Sequence, residues 1–254
     1  SNILIHNNFI ESGTSSAIFS HESKLVLNNC TIADNISTNS NVPIIYSDNT
    51  SAENFISINN SIITSNENYQ FINTDANLIV NYSSIPSDID GLGIISYGDP
   101  EFNSLYIPQS SLFIDAGDPN PWWNDLDGTI SDLGYSGGGF IYPNFISYDF
   151  GIVGNNNIVL DWELNNFRDE DIIIDEVTFL SNSFSALAQF PIIIKSNMKG
   201  IIPIEVSSES IGAYDDQMLV QSSELSDGTV VLLEADNQGG NFLSNQLSGE
   251  LEAD

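Results

Sequence analysis

One short phrase recurs four times along the N-terminal part of this chain. It reads Ile3-x-Ile5-His6-Asn7-Asn8, then Leu25-x-Leu27-Asn28-Asn29, Ile56-x-Ile58-Asn59-Asn60 and Leu78-x-Val80-Asn81-Tyr82, at offsets of 22, 31 and 22 residues. An apolar-x-apolar pair puts both side chains on one face of a strand. The Asn that follows tolerates the left-handed backbone of a tight corner. A fixed period near 22 residues with short alternating strands is the signature of a stacked solenoid. The spacing predicts stacked parallel coils over residues 1–98, with Asn7, Asn29 and Asn60 in one structural column. The longer middle interval predicts loops around residues 36–53 that leave the second coil.

On these repeats the chain resembles the right-handed parallel β-helix family, the pectate-lyase-like fold of bacterial secreted and surface proteins. That resemblance implies an all-β protein built of coils of about 22 residues. The first repeat starts at residue 3 with no polar cap before it, and solenoid ends need capping. The expectation is therefore that further coils precede residue 1.

The periodicity stops near Tyr97. Residues 99–144 then read Asp99-Pro100-Glu101-Phe102, Ser111-Leu112-Phe113-Ile114-Asp115-Ala116-Gly117-Asp118-Pro119 and Asp125-Leu126-Asp127-Gly128-Thr129, ending at Asp132-Leu133-Gly134. This run resembles the closing segment of choice-of-anchor-type β-helix proteins, with Leu112 where the pattern has Pro. Asp115, Asp118, Asp125, Asp127, the Thr129 carbonyl and Asp132 place hard oxygen donors around a Gly128 turn. That is a donor set for calcium, which takes six to eight oxygens. The same residues also suit Asx turns and caps on backbone amides. Without His or Cys among them, zinc is disfavoured. Trp122 and Trp123 lie in this segment, either to stack on a sugar ring or to pack against a neighbouring domain.

From residue 145 to 236 the pattern changes to separate strands. They are expected at Ser147 to Val153, Asn157 to Asn165, Ile172 to Phe179, Ile192 to Lys195, Ile201 to Val206, Met218 to Ser222 and Thr229 to Glu234. Seven short strands in this length suggest a two-sheet sandwich. Asp149-Phe150-Gly151-Ile152-Val153 and Ile201-Ile202-Pro203-Ile204-Glu205-Val206 resemble choice-of-anchor D and ASPM-SPD-2-Hydin immunoglobulin-like domains. Residues 237–254 read as a linker or the start of another module.

Charge narrows the function. The chain has 4 basic and 35 acidic residues, a net charge of −31. Phosphate recognition needs clustered cations, so nucleic acid is excluded as a partner. No apolar run is long enough to span a bilayer. A lone Cys30 forms no internal disulfide and suits a small buried filler. Catalysis is disfavoured, and no catalytic residue is assigned. Lys24 is the one basic residue before Arg168, so a lyase base is wanting, and the paired carboxylates of a hydrolase are not evident. Glu22, Asp48 and Asp75 fall near one corner. His6 and His21 stand alone. The reading is a non-catalytic, extracellular surface scaffold or adhesin of a modular bacterial protein. Its partners would be a polysaccharide or another surface module. The alternatives are an accessory part of a polysaccharide lyase or hydrolase, and a carbohydrate-binding module using Trp122 and Trp123.

Overall fold

The structure, a computed structural model, describes residues 1–39, 41–48, 55–64, 72–74, 77–87, 89–96, 98–154, 157–206, 211–226 and 229–238. The chain is all-β, with a single 3-10 turn and no α-helix among the described residues. It divides into two compact units, Ser1–Gly139 and Phe140–Asp254.

The first unit contains β1 (Leu4–His6), β2 (Phe9–Ile10), β3 (Ile18–His21), β4 (Leu25–Asn28), β5 (Thr31–Ala33), β6 (Ile36–Ser37) and β7 (Ile45–Asp48). It continues with β8 (Phe55–Asn59), β9 (Ile62–Ile63), β10 (Ile72–Thr74), β11 (Asn77–Asn81), β12 (Ser84–Ile85) and β13 (Ile95–Ser96). These strands build parallel ladders in the orders β1-β5-β9-β12-β13, β3-β7-β10, β4-β8-β11 and β2-β6. Up to β12 the chain returns to the ladders in a constant order, and β13 then pairs with β12 in the same ladder; several rows stack like residues on like. Ile5 lies beside Ile32 and Ile32 beside Ile63. Ile45 lies between Ile18 and Ile72. Leu27, Ile58 and Val80 form a third row. β-Branched side chains pack well on such pleated, half-buried surfaces, and these rows are the core of the unit.

The register corrects the sequence reading at its first repeat. Leu4 pairs with Thr31, not with residue 26, so Ile3-x-Ile5 belongs to the ladder that follows the Asn29 corner. Successive rounds, from Leu4 to Thr31 to Ile62 to Ser84, are therefore 27, 31 and 22 residues long rather than 22, 31 and 22. The expected loop over 36–53 shrinks accordingly. Ile10 to Ile18 and Ser37 to Ile45 are equal in length, so nothing is added there. The extra residues lie between Asp48 and Ile56, mostly at 49–54, outside the described residues.

The second unit holds β14 (Ile141–Pro143), β15 (Ser147–Val153), β16 (Ile158–Asn166), β17 (Ile172–Ile174), β18 (Glu176–Phe179) and β19 (Phe184–Ala186). It ends with β20 (Ile192–Ile194), β21 (Lys199–Val206), β22 (Gly212–Gln221) and β23 (Val230–Asn237). Two four-stranded sheets run β14-β16-β21-β19 and β15-β23-β22-β18, with β17-β20 as a separate pair. β15 and β23 are parallel, and the other pairs are antiparallel. Alternation sets the buried faces. Trp162 and Leu164 point inward on β16, and Ile202, Ile204 and Val206 on β21. Met218 and Val220 do so on β22, and Val231, Leu233 and Ala235 on β23. Phe150 of one sheet meets Phe184 of the other at 5.7 Å between ring centroids.

The sequence places residues 141–143 in the closing segment, yet β14 pairs with β16 in the second unit. Strand β19 has too short an apolar signature to be expected. The run Ile172 to Phe179, read as one strand, breaks at Asp175. Its halves join different pairs, because the Asp175 amide turns to bond the Gln221 carbonyl at 2.8 Å.

Candidate functional site

The corner of each round needs one residue in the left-handed region, and the chain supplies it mainly with Asn. Asn29 and Asn60 have φ of 49° each. They follow Asn28 and Asn59, which are paired across the ladder. Asn2 (φ 52°) occupies the same place one round earlier, since its amide bonds the Asn28 carbonyl at 3.0 Å. Tyr82 (φ 45°) takes it one round later. The column is thus Asn2, Asn29, Asn60 and Tyr82. Asn7 is not in it. Because His6 pairs with Ala33, Asn7 (φ 54°) sits beside Asp34 (φ 55°) at a different corner.

Just inside this column runs a second one, made of Cys30, Ser61 and Ser83, all fully buried. Ser61 Oγ accepts from the Cys30 amide at 3.0 Å and donates to the Asn59 carbonyl at 2.7 Å. Ser83 Oγ repeats both bonds, to the Ser61 amide at 3.1 Å and the Asn81 carbonyl at 2.7 Å. Cys30 fills the place of a third hydroxyl, and burial pushes its thiol pKa up.

The closing segment lies along the Asn column and uses its side chains as anchor points. The Asp118 amide donates to Asn60 Oδ1 at 2.8 Å, and the Gly134 amide to the Asn60 carbonyl at 2.8 Å. Asn29 Nδ2 donates to Ser131 Oγ at 2.9 Å. The Tyr135 amide donates to Thr31 Oγ1 at 3.0 Å. Asn2 Nδ2 donates to the carbonyls of Tyr135 at 3.0 Å and Gly137 at 2.7 Å. One strap, residues 115–138, therefore touches three successive rounds. Gly117 lets it come this close, since a Cβ there would stand 3.0 Å from Asn60 Oδ1. Phe113 and Leu133 add a small apolar cluster against Ile62. At the other corner, Tyr106 Oη donates to Asp34 Oδ2 at 2.9 Å and accepts from Asn7 Nδ2 at 2.8 Å.

Four acidic residues of the strap, Asp118, Asp125, Asp127 and Asp132, act as caps. Asp125 is central: one oxygen accepts from the Asp132 amide at 2.9 Å, the other from the Gly138 amide. Asp132 Oδ1 accepts from the Asp115 amide at 2.9 Å. Asp127 Oδ1 accepts from the Thr129 amide at 3.1 Å and hydroxyl at 2.8 Å. Asp118 Oδ1 accepts from the Asn120 amide at 2.9 Å, and the Thr129 carbonyl accepts from the Asp125 amide at 2.9 Å. Burial raises the Asp125 pKa to about 6, against the pull of the two amides it binds. Burial also raises Asp132, whereas the Thr129 bonds hold exposed Asp127 below its usual range. Among the described residues no three His, Cys, Asp or Glu side chains converge as metal ligands.

Trp122 is buried, in the 3-10 turn Pro121–Trp123 that Asn120 caps, so it offers no face to a sugar. Its role is packing, and Trp123 is half-buried. Of the corner carboxylates, Asp48 lies 3.5 Å from His21 and its carbonyl accepts from the Glu22 amide at 3.0 Å, while Asp75 lies outside the described residues. Sequence reasoning missed Asn2, Ser131 and Tyr135 as strap contacts. Their partners are 102 to 135 residues away, and nothing local marks them.

No protein-family model and no curated protein matches the chain. Among solved structures it is similar to a protein of unknown function from Porphyromonas gingivalis W83, at 13% identity and a TM-score of 0.33 over 38% of this chain. It is similar to the VesB protease of Vibrio cholerae at 13% identity and a TM-score of 0.32 over 49% of this chain. The chain spans 46% and 43% of those two proteins. The ASH/PapD-like domain 7 of human CEP192 is matched over 88% of its length and 41% of this chain, at 10% identity and a TM-score of 0.32. Likenesses this distant carry no argument about function. No helix among the described residues is long and apolar enough to cross a membrane.

Proposed function

We propose that this chain is a non-catalytic scaffold or adhesive part of a modular, extracellular bacterial surface protein. In this reading the first unit is a stretch of right-handed parallel β-helix and the second an immunoglobulin-like sandwich. The parallel ladders, visited in constant order up to β12, and the two four-stranded sheets support those two assignments. One observation carries the functional reading. The most chemistry-rich segment, residues 115–138, spends its carboxylates on backbone amides and its length on fastening three rounds together. Carboxylates so committed brace a wall rather than turn over a substrate. Calcium at this loop would share the Asp125 carboxylate with the two amides it already accepts from. The strong negative charge suits a surface exposed to salt and cations.

The test is a panel of acidic and neutral polysaccharides, assayed for reducing ends and unsaturated products with calcium and with chelator. No product is expected on any of them, while a glycan or surface-protein array registers binding. Product formation lost on a single Asp→Asn change would overturn the scaffold reading in favour of a lyase or hydrolase.

A further inference from the structure

Strands β15, β23 and β22 carry an acidic rung on their outer face. Asp149 pairs directly with Glu234, and Glu234 directly with Asp215. All three are exposed. Directly paired side chains stand about 5 Å apart at Cβ, and like charges there repel and destabilise the sheet. Neither the Lys195–Asp171 nor the Lys199–Glu163 ion pair involves this rung. The next rung on the same face is Ser147, Leu232 and Gln217. Leu232 is 44% exposed there, and Leu180 beside it is 70% exposed. Together Leu180, Leu232, Asp215, Gln217 and Glu234 line an open groove of about 230 Å³. The groove is held in shape by buried Asp216. Its carboxylate accepts from the Leu180 amide at 2.9 Å, the Ser181 amide at 3.1 Å and the Ser181 hydroxyl at 2.6 Å.

We propose that this groove docks a cationic segment of a partner protein, with an apolar side chain seated between Leu180 and Leu232 and flanking Lys or Arg side chains on Glu234 and Asp215. Charge complementarity selects the occupant. A second copy of the chain, at net charge −31 with four basic residues, repels the rung instead of neutralising it. An apolar partner without cations leaves the paired carboxylates facing each other. The proposal rests on the second unit alone and is independent of whether the first unit is a scaffold.

The probe is a fluorescent peptide in which two lysines flank a leucine, titrated with the full chain and read by anisotropy. Replacing the peptide leucine by serine, or Leu180→Ser in the protein, weakens binding about tenfold, the value of one buried leucine. Leu180 is exposed enough for its variant to fold, and Leu232→Thr gives a second, strand-compatible test of the apolar seat. Glu234→Gln with Asp215→Asn weakens binding at about 0.05 M salt and flattens its salt dependence. A pair of control changes on the other sheet, Asp161→Asn with Glu205→Gln, removes the same charge and leaves affinity within about twofold if binding is local. Equal losses in the groove and control variants would mean diffuse attraction to an acidic protein and would overturn the proposal. So would indifference to both leucine changes, or binding of calcium alone with none of the peptide.

Discussion

Asn60 is where the strap and the stacked rounds depend on one residue, and its two duties separate by substitution. It is 2% exposed and held at φ 49°. Its Oδ1 accepts from the Asp118 amide at 2.8 Å, while its main-chain carbonyl accepts from the Gly134 amide at 2.8 Å. Asn60→Gly removes the side-chain acceptor but keeps a residue at ease in the left-handed region. The orphaned Asp118 amide then costs about 1–3 kcal/mol. Asn60→Ala loses the same bond and adds about 1–2 kcal/mol for a Cβ in that conformation. The glycine variant is therefore expected to be the more stable of the two by about 1 kcal/mol, against the usual order for these residues. Urea unfolding followed by tryptophan fluorescence measures the difference, since Trp122 and Trp123 lie in the strap. Native-state hydrogen exchange locates it: the Asp118 amide should lose protection in both variants, while the Gly134 amide keeps its main-chain partner. An alanine variant as stable as the glycine one, or unchanged protection at Asp118, would refute the reasoning.

A pH effect follows from Asp125. Its folded pKa of about 6 lies above the ordinary 3.8, so the folded state holds this proton more tightly than the unfolded one. Its contribution is fully present below about pH 4 and is lost as pH rises through 6. The shift corresponds to about 3 kcal/mol, reduced to about 1–2 because the group is only half-buried. Stability of the first unit should fall between pH 4.5 and 7, and Asp125→Asn should flatten that slope. Background repulsion among the other carboxylates is common to both proteins and cancels. Cys30→Ser should change stability by less than about 1 kcal/mol, since Ser61 and Ser83 show that the column accepts a hydroxyl. Ser61→Ala should cost about 1–3 kcal/mol by orphaning the Cys30 amide; both are read by chemical denaturation. Asp216→Ala should destabilise the second unit by about 2–4 kcal/mol and loosen residues 180–181, visible as faster exchange at the Leu180 and Ser181 amides.

The rows through Leu25, Ile56 and Leu78 were legible because each combines alternation with an Asn at the strand end, Asn28, Asn59 and Asn81. The same economy explains the error at the first repeat. Asn7 and Asn29 both have positive φ, at different corners, and each follows a short strand. Ile3-x-Ile5-His6-Asn7 and Leu25-x-Leu27-Asn28-Asn29 therefore look alike while belonging to different ladders. The mate of Asn29 is Asn2, which has almost no sequence before it to show a pattern. In the strap, the Asp-Gly turns could be read locally. That Asp118 reaches Asn60 and Gly137 reaches Asn2 could not, because those bonds close loops of 58 and 135 residues. Trp122 illustrates a residue type compatible with two roles, and only its burial decides between them.

The strap also changes how the first unit comes apart. Rounds that touch only their neighbours unfold as a one-dimensional array, fraying from whichever end is weaker. Here one segment is bonded at Asn60, Asn29 and Asn2, so none of these three rounds can peel without detaching a segment that also grips the other two. Opening is pooled across those three rounds, and loss of one carries part of the cost of losing the others. A protease or a pulling force meets a single threshold in place of a series of small ones.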